Sequence, residues 1–461
     1  MRSSIVVVAM LLLVAACAAD EPTATINPTG TSTAPTQTTT TATASTTTAP
    51  TTTTTVMATT TTAAPSPTAA TTTTAAVTTD PYLPTALDRS AVPWGDVGKG
   101  WYVVLYDSSK AAPVDSSDIR EGPVVLYLVE AAGDRYEVAS WQASDRPWEL
   151  VDARGTSALI GATGATLDDR EWAVVDMTTG VTSLVHAAGF PEYTYSFGWP
   201  VTLTRPTGAN VVVYQSDGTD EWLERRSPGG SLLATVYQQP YLDADSSLRW
   251  LYGYGGTSML VMHHGGIAAV SNSGTLLQEL WVPPDHRCEP VRWWDADTYL
   301  AVCYGQGPAS APIDSDGNPH TYYGRLWLLE TDGTAGVPMT EYPAAPPIVV
   351  DFGYHDAWPT TAETYLQWSG DCGASAVATL QPDGTGAFLP IVVPASIVAD
   401  GVAMVDIVGS QMAVYGWQGC GADVGALYAT DLAGAYLYDL VPVVGDARAV
   451  IGVVGLATVY P

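Results

Sequence analysis

An all-β fold built from one repeated unit is what this sequence predicts, on three observations. The first is a hairpin that recurs seven times, clearest in Leu326-Trp-Leu-Leu-Glu-Thr-Asp-Gly-Thr-Ala-Gly-Val-Pro-Met339: a short apolar strand, a polar turn with glycine, and a second strand. Its other copies are Val125–Val138, Trp172–Leu184, Trp222–Tyr237, Ile267–Leu280, Ala376–Leu389 and Ala426–Leu437. The second is spacing. The turn glycines Gly133, Gly180, Gly230, Gly274, Gly333, Gly384 and Gly434 recur at a mean interval of about 50 residues. The third is that no amphipathic helix of ten or more residues stands out, while Gly and Pro are spread throughout, as many short turns require. Strands and turns at that period predict a β-propeller, seven blades of four antiparallel strands over residues 81–461, behind a disordered N-terminal stalk.

Taken in order, Met1–Ala16 is a secretion signal: Arg2 is followed by the apolar run Ile5–Val14. That run is too short to span a bilayer, which takes roughly 20 residues, but it suits a signal-peptide core. It ends Leu13-Val14-Ala15-Ala16-Cys17, which resembles the lipobox of bacterial lipoproteins. The resemblance implies cleavage before Cys17, lipidation of its thiol, and a chain held at the outer face of the cytoplasmic membrane or on the cell surface. Residues 17–80 are then Thr, Ala and Pro, with runs such as Thr51–Thr55, and cannot bury a core. As a flexible coil a segment of about 60 residues spans roughly 40–50 Å, and about 190 Å if largely polyproline-like. Its composition resembles O-glycosylated stalks.

From Pro81 the chain is patterned for a core. Between the hairpins, strands are expected at Ala158–Gly161, Asn210–Tyr214, Met259–Met262, Tyr299–Val302, Tyr365–Trp368 and Met412–Tyr415. A further set precedes them, at Trp148–Val151, Tyr195–Trp199, Arg249–Tyr252, Val291–Trp294, Ile348–Phe352 and Val402–Ile407. Each period thus holds four strands. The first, which starts at Trp101–Tyr106, lacks one, and the final apolar segment Ala449–Val454 has no hairpin after it. The two should pair and close the ring, removing its loose edge.

Formal net charge is −30, from 17 basic and 47 acidic residues, and only Arg2, Asp20, Glu21 and Asp80 of these lie in the first 80. So acidic a body repels phosphate backbones, which argues against nucleic-acid partners. Of the cysteines beyond Cys17, Cys288 and Cys303 flank the turn at Asp295-Ala296-Asp297 and should face each other. Cys372 and Cys420 lie about one period apart in matching Cys-Gly-Ala contexts. In an oxidising compartment these predict the disulfides Cys288–Cys303 and Cys372–Cys420, the first closing a loop of about 15 residues worth roughly 3 kcal/mol in the entropy model.

Chemistry-bearing motifs are few. Asp314, Asp316 and Asn318 alternate as calcium ligands do, but Pro319 stands where an EF-hand needs Gly and Arg325 where it needs Glu, so a polar surface insertion is the expectation. His263-His264-Gly265-Gly266 resembles the oxyanion loop of some esterases, yet no Gly-x-Ser-x-Gly supplies a nucleophile. The remaining histidines, His186, His286, His320 and His355, are isolated in sequence. No metal or cofactor site is expected. Fifteen Trp and 24 Tyr against 4 Phe suit either packing between blades or sugar stacking, the latter at Trp293-Trp294, Tyr252, Tyr254 and Trp417. By repeat form, over residues 81–461, the chain resembles TolB-like and WD40-like propellers, without the Gly-His and Trp-Asp pairs of WD40 blades. The resemblance implies a binding module for a protein or glycan, anchored through Cys17. An extracellular carbohydrate-active or other propeller enzyme, with its site at the central channel, is the alternative.

Overall fold

Each predicted hairpin is a pair of adjacent antiparallel strands in the structure, a computed structural model. It describes residues 80–111, 122–141, 148–162, 171–186, 199–205, 207–241, 248–253, 255–264, 266–305, 323–341, 353–369, 375–392, 401–417, 425–442, 444 and 449–456. Three four-stranded sheets stand apart. One contains β5 (Trp148–Arg154), β6 (Ser157–Ala162), β7 (Glu171–Asp176) and β8 (Val181–His186). The next contains β9 (Trp199–Leu203), β10 (Val211–Ser216), β11 (Asp220–Arg226) and β12 (Leu232–Pro240). The third contains β13 (Arg249–Tyr252), β14 (Ser258–His263), β15 (Gly266–Ser271) and β16 (Leu276–Leu280).

The other strands join one large mixed sheet. In it β17 (Arg287–Trp293), β18 (Thr298–Gly305), β19 (Tyr323–Glu330) and β20 (Val337–Pro338) pair in sequence. So do β21 (Gly353–Pro359), β22 (Thr364–Ser369), β23 (Ser375–Leu380) and β24 (Gly386–Phe388). The same holds for β25 (Gly401–Val408), β26 (Gln411–Trp417), β27 (Gly425–Asp431) and β28 (Tyr436–Val441). Single bridges link these runs, Gly324 to Gly353, Ser375 to Gly401 and Gly425 to Val450. The last run is β29 (Val450–Leu456), β2 (Trp101–Asp107), β3 (Val124–Glu130) and β4 (Arg135–Trp141), with β29 antiparallel to β2 so that Val103 faces Val454. The two ends of the domain therefore share a sheet. The short β1 (Leu87–Asp88) adds a parallel strand to the edge of β4. Among the described residues the helical pieces are two 3-10 turns, Arg89–Ala91 and Ser108–Ala111.

The turn glycines explain how neighbouring units are keyed together. All seven have φ between 72° and 98°, the left-handed region that side chains rarely adopt. A Cβ on Gly274 would collide with the Thr235 carbonyl of β12, in the unit before, and one on Gly434 would meet the Pro390 carbonyl after β24. The cycle closes between first and last units. Gly133 sits against Tyr438 of β28, whose hydroxyl donates to the Ala131 carbonyl at 2.5 Å, and Arg135 reaches the Leu440 carbonyl. Apolar clusters fill the spaces between sheets, and Trp172, Tyr102, Tyr106, Tyr127, Tyr299 and Tyr428 are almost fully buried. Much of the unusual Trp and Tyr content is therefore core, where each such ring buries about 150–250 Å².

Two strands differ from expectation. The leading strand of the second separate sheet is Trp199–Leu203, and of the expected Tyr195–Trp199 residues 195–198 lie outside the described residues. In the following part of the large sheet it is Gly353–Pro359, while 348–352 lie outside the described residues. Both observed strands contain what an apolar-pattern reading avoids: Pro200 in one, and His355-Asp356 in the middle of the other. Pro200 lies beside a β-bulge, where a missing ladder donor is tolerated.

Candidate functional site

The two ends of the domain are built differently. At one end the connections inside each unit are tight, from 155–156 and 409–410 up to 204–210. The strand ends joined through 108–123, 187–198, 306–322, 339–352 and 389–400 lie at the other, although most residues of these long connections are outside the described ones. Antiparallel alternation puts every connection between units at this second end. Residues 80–82 are tied down at that end too: Ser108, just beyond β2, donates to the Asp80 carboxylate at 3.1 Å, and the Tyr106 hydroxyl donates to the Tyr82 carbonyl at 2.8 Å.

A polar belt runs along the leading strands. Six of them carry a one-residue bulge, at Val151, Val201, Val291, His355, Val405 and Ile451. In three the next residue is aspartate, and its Oδ1 accepts the N–H that follows: Asp152 from Ala153 at 2.8 Å, Asp356 from Ala357 at 2.7 Å, Asp406 from Ile407 at 2.8 Å. The bulge interrupts the ladder and the carboxylate takes the donor it leaves over. The second oxygen of buried Asp152 then crosses to β9, accepting from Thr202 Oγ1 at 2.7 Å and Leu203 N at 2.9 Å. Asp356 is held by both arms of Arg292 on β17, each at 2.6 Å, and the guanidinium lies 3.9 Å from the centre of the Trp358 ring. Burial raises the Asp406 carboxyl above the usual carboxylate range, against the opposing pull of the Ile407 N–H, Lys99 and Arg292. Burial likewise lowers His355, with Asp356 opposing, and its Nδ1 lies 3.1 Å from Ser369 Oγ.

A second polar network joins the β9–β12 and β13–β16 sheets. Glu221, with no exposed surface, accepts from Tyr214 Oη at 2.8 Å, from Gln239, and from Leu248 N at 3.3 Å. Gln239 accepts from His264 N in turn. Nearby, a groove of about 320 Å³ is lined by Tyr237, Gln238, Leu276 and Glu279, and Glu279 pairs with His263 at 2.9 Å. No group of three metal-ligating side chains occurs among the described residues.

No family model matches the chain, and no curated protein is similar to it. Solved structures are. A prolyl endopeptidase aligns with TM-score 0.46 and 10% identity over 74% of this chain and 48% of its own, so the chain spans about half its length. A putative 6-phosphogluconolactonase from Bacteroides fragilis aligns with TM-score 0.44 and 13% identity, over 77% and 98%. TolB from Acinetobacter baumannii aligns with TM-score 0.34 and 11% identity, over 62% and 65%. Likeness at this level assigns no activity.

Of the residues singled out from sequence, Cys288 and Cys303 are opposite partners on β17 and β18 and form a disulfide, with Cα atoms 4.0 Å apart. Cys17, Cys372, Cys420, Asp314, Asp316, Asn318, His320 and Tyr254 lie outside the described residues. Trp293 and Tyr252 are buried, the indole donating to the Tyr252 carbonyl, so they pack and do not line a sugar site. Trp417 stacks near Tyr415 at the end of β26. His263 ends β14 beside Glu279. The belt was missed, although one signal for it exists: Asp152 and Thr202 are 50 residues apart, one period, and Val-Asp recurs at Val151-Asp152 and Val405-Asp406.

Proposed function

We propose that the chain is a surface lipoprotein whose seven-bladed, TolB-like propeller is a binding module for a protein or glycan partner. On this reading residues 1–16 are removed, Cys17 carries the lipid, residues 17–80 form the stalk, and 81–461 the propeller. The blade count follows if β29 and β2–β4 are one unit beside three separate sheets and three runs in the large one. The binding role rests on one observation, the unequal ends: loops free to vary in length collect on one face of a rigid scaffold, where recognition residues are concentrated. Belt chemistry also favours binding over catalysis, because Asp152 and Asp356 are committed to neighbouring strands.

Photo-crosslinking in cells tests the role and the face together. A photoreactive residue at Thr219 or Asp285, on the long-connection end, should give a discrete adduct, and one at Thr334 or Asp383, on the tight end, should not. Adducts from the tight end alone would overturn the assignment of the face, and adducts from neither would overturn the binding module. Cys17→Ser should release the chain from the membrane fraction, and continued retention would remove the lipid anchor.

A further inference from the structure

The bulge position on the leading strands is a repeat position with a repeat chemistry. Five of the six bulges hold β-branched aliphatics, Val151, Val201, Val291, Val405 and Ile451. Each of these packs against an apolar cluster. The sixth holds His355. An imidazole thus occupies a place where the rest of the ring uses a hydrocarbon, beside the joint between the β21–β24 and β25–β28 strands.

That joint is held by neutral groups. Gln367, the register partner of Asp356, donates to the Val402 carbonyl at 2.9 Å and accepts from Met404 N at 2.7 Å. Tyr365 Oη donates to the Leu432 carbonyl at 3.1 Å. The partner of His355 is the Ser369 hydroxyl on β22. Two carboxylates sit on the strands concerned. Asp356 on its own strand is taken by Arg292 of β17, and Asp406 of β25 acts on Arg292 and Lys99. Asp356 favours a protonated ring, but burial opposes it more strongly, and both Asp356 oxygens are already held by Arg292.

We propose that His355 makes the joint between the β21–β24 and β25–β28 strands acid-labile, a proton-operated weak point in an otherwise pH-indifferent ring of bulges. The folded state holds the ring neutral, so the sign is fixed. The unfolded chain takes up the proton near the ordinary histidine value of about 6.5, while the folded chain resists it. Stability is full above that pH and is lost as pH falls toward the lowered folded value.

The test compares the full chain with His355→Val, the residue used at four of the other bulges. Denaturant midpoints are followed from pH 8 to pH 5. The wild-type midpoint should fall below that of the variant, with the gap opening as pH drops through about 6.5, and amide protection should be lost first in β21, β22 and β25. Parallel curves would overturn the proposal. Should the variant fail to fold, NMR titration of the His355 ring in the wild type decides instead. A ring that stays neutral below pH 6 supports it, and one that protonates at or above the ordinary value overturns it.

Discussion

Gly274 and Gly218 share a backbone conformation, φ 88° and 81°, but not a setting. Gly274 belongs to the tight end, and a side chain there would collide with the Thr235 carbonyl of the sheet before it; Gly218 belongs to the end with the long connections, and a side chain there would meet open space. The pair teaches what each end is for. At Gly274 a turn must fit its own backbone and a neighbour's, so length and residue are both constrained, whereas Gly255 and Gly409 at the same end face open space. At Gly218 the constraint is local, and the 217–219 connection can grow without disturbing a joint.

The largest test of that division is removal of residues 449–461. Without β29 the first unit loses one of the two strands that pair with β2, and the ring is left with an open edge. Cooperative thermal unfolding should disappear, as read by circular dichroism; an unchanged melt would mean that closure does not hold the domain together. The glycine pair comes next. Gly274→Ala should cost about 3 kcal/mol, backbone strain plus displacement of β12, and Gly218→Ala about 1 kcal/mol, the strain alone. Equal losses in urea unfolding would erase the distinction between the ends. Asp152→Ala follows, at about 2–3 kcal/mol, because it leaves Leu203 N and the Thr202 hydroxyl buried without their acceptor. Asp152→Asn keeps one acceptor oxygen and should recover part of the loss.

What the sequence made legible follows from how local each element is. The hairpins are short-range objects, with an alternating apolar strand, a glycine turn and a return strand, and all seven stand where sequence places them. Closure by Ala449–Val454 was legible for a similar reason, as an apolar strand left without a hairpin. The leading strands were the poorest read. Their stability comes from neighbours: Asp152 is placed by Thr202 of the next unit, and Arg292 by Asp356 across a gap of 64 residues. Polar residues that are satisfied only across a joint look, in one dimension, like loop. The strap that carries β1 to the edge of β4 escaped for the same reason, since two residues of strand have no period.

Asp406 gives the smallest expected effect and separates a belt residue that secures a joint from one that does not. Like Asp152 it follows a bulge and caps the next N–H, but no described hydrogen bond carries it to a neighbouring strand. Burial raises its carboxyl, so the folded state binds its proton more tightly than the unfolded chain does. The group's contribution is therefore most favourable below the ordinary carboxylate range and is lost as pH rises through the raised folded value. Asp406→Asn keeps the acceptor for Ile407 N and removes the charge. It should stabilise the domain slightly at pH 7, and the gain should vanish as pH falls below about 4, where aspartate in both states is protonated. A variant less stable than wild type at pH 7 would show that Lys99 and Arg292 outweigh the burial, making Asp406 a third fastener of the belt.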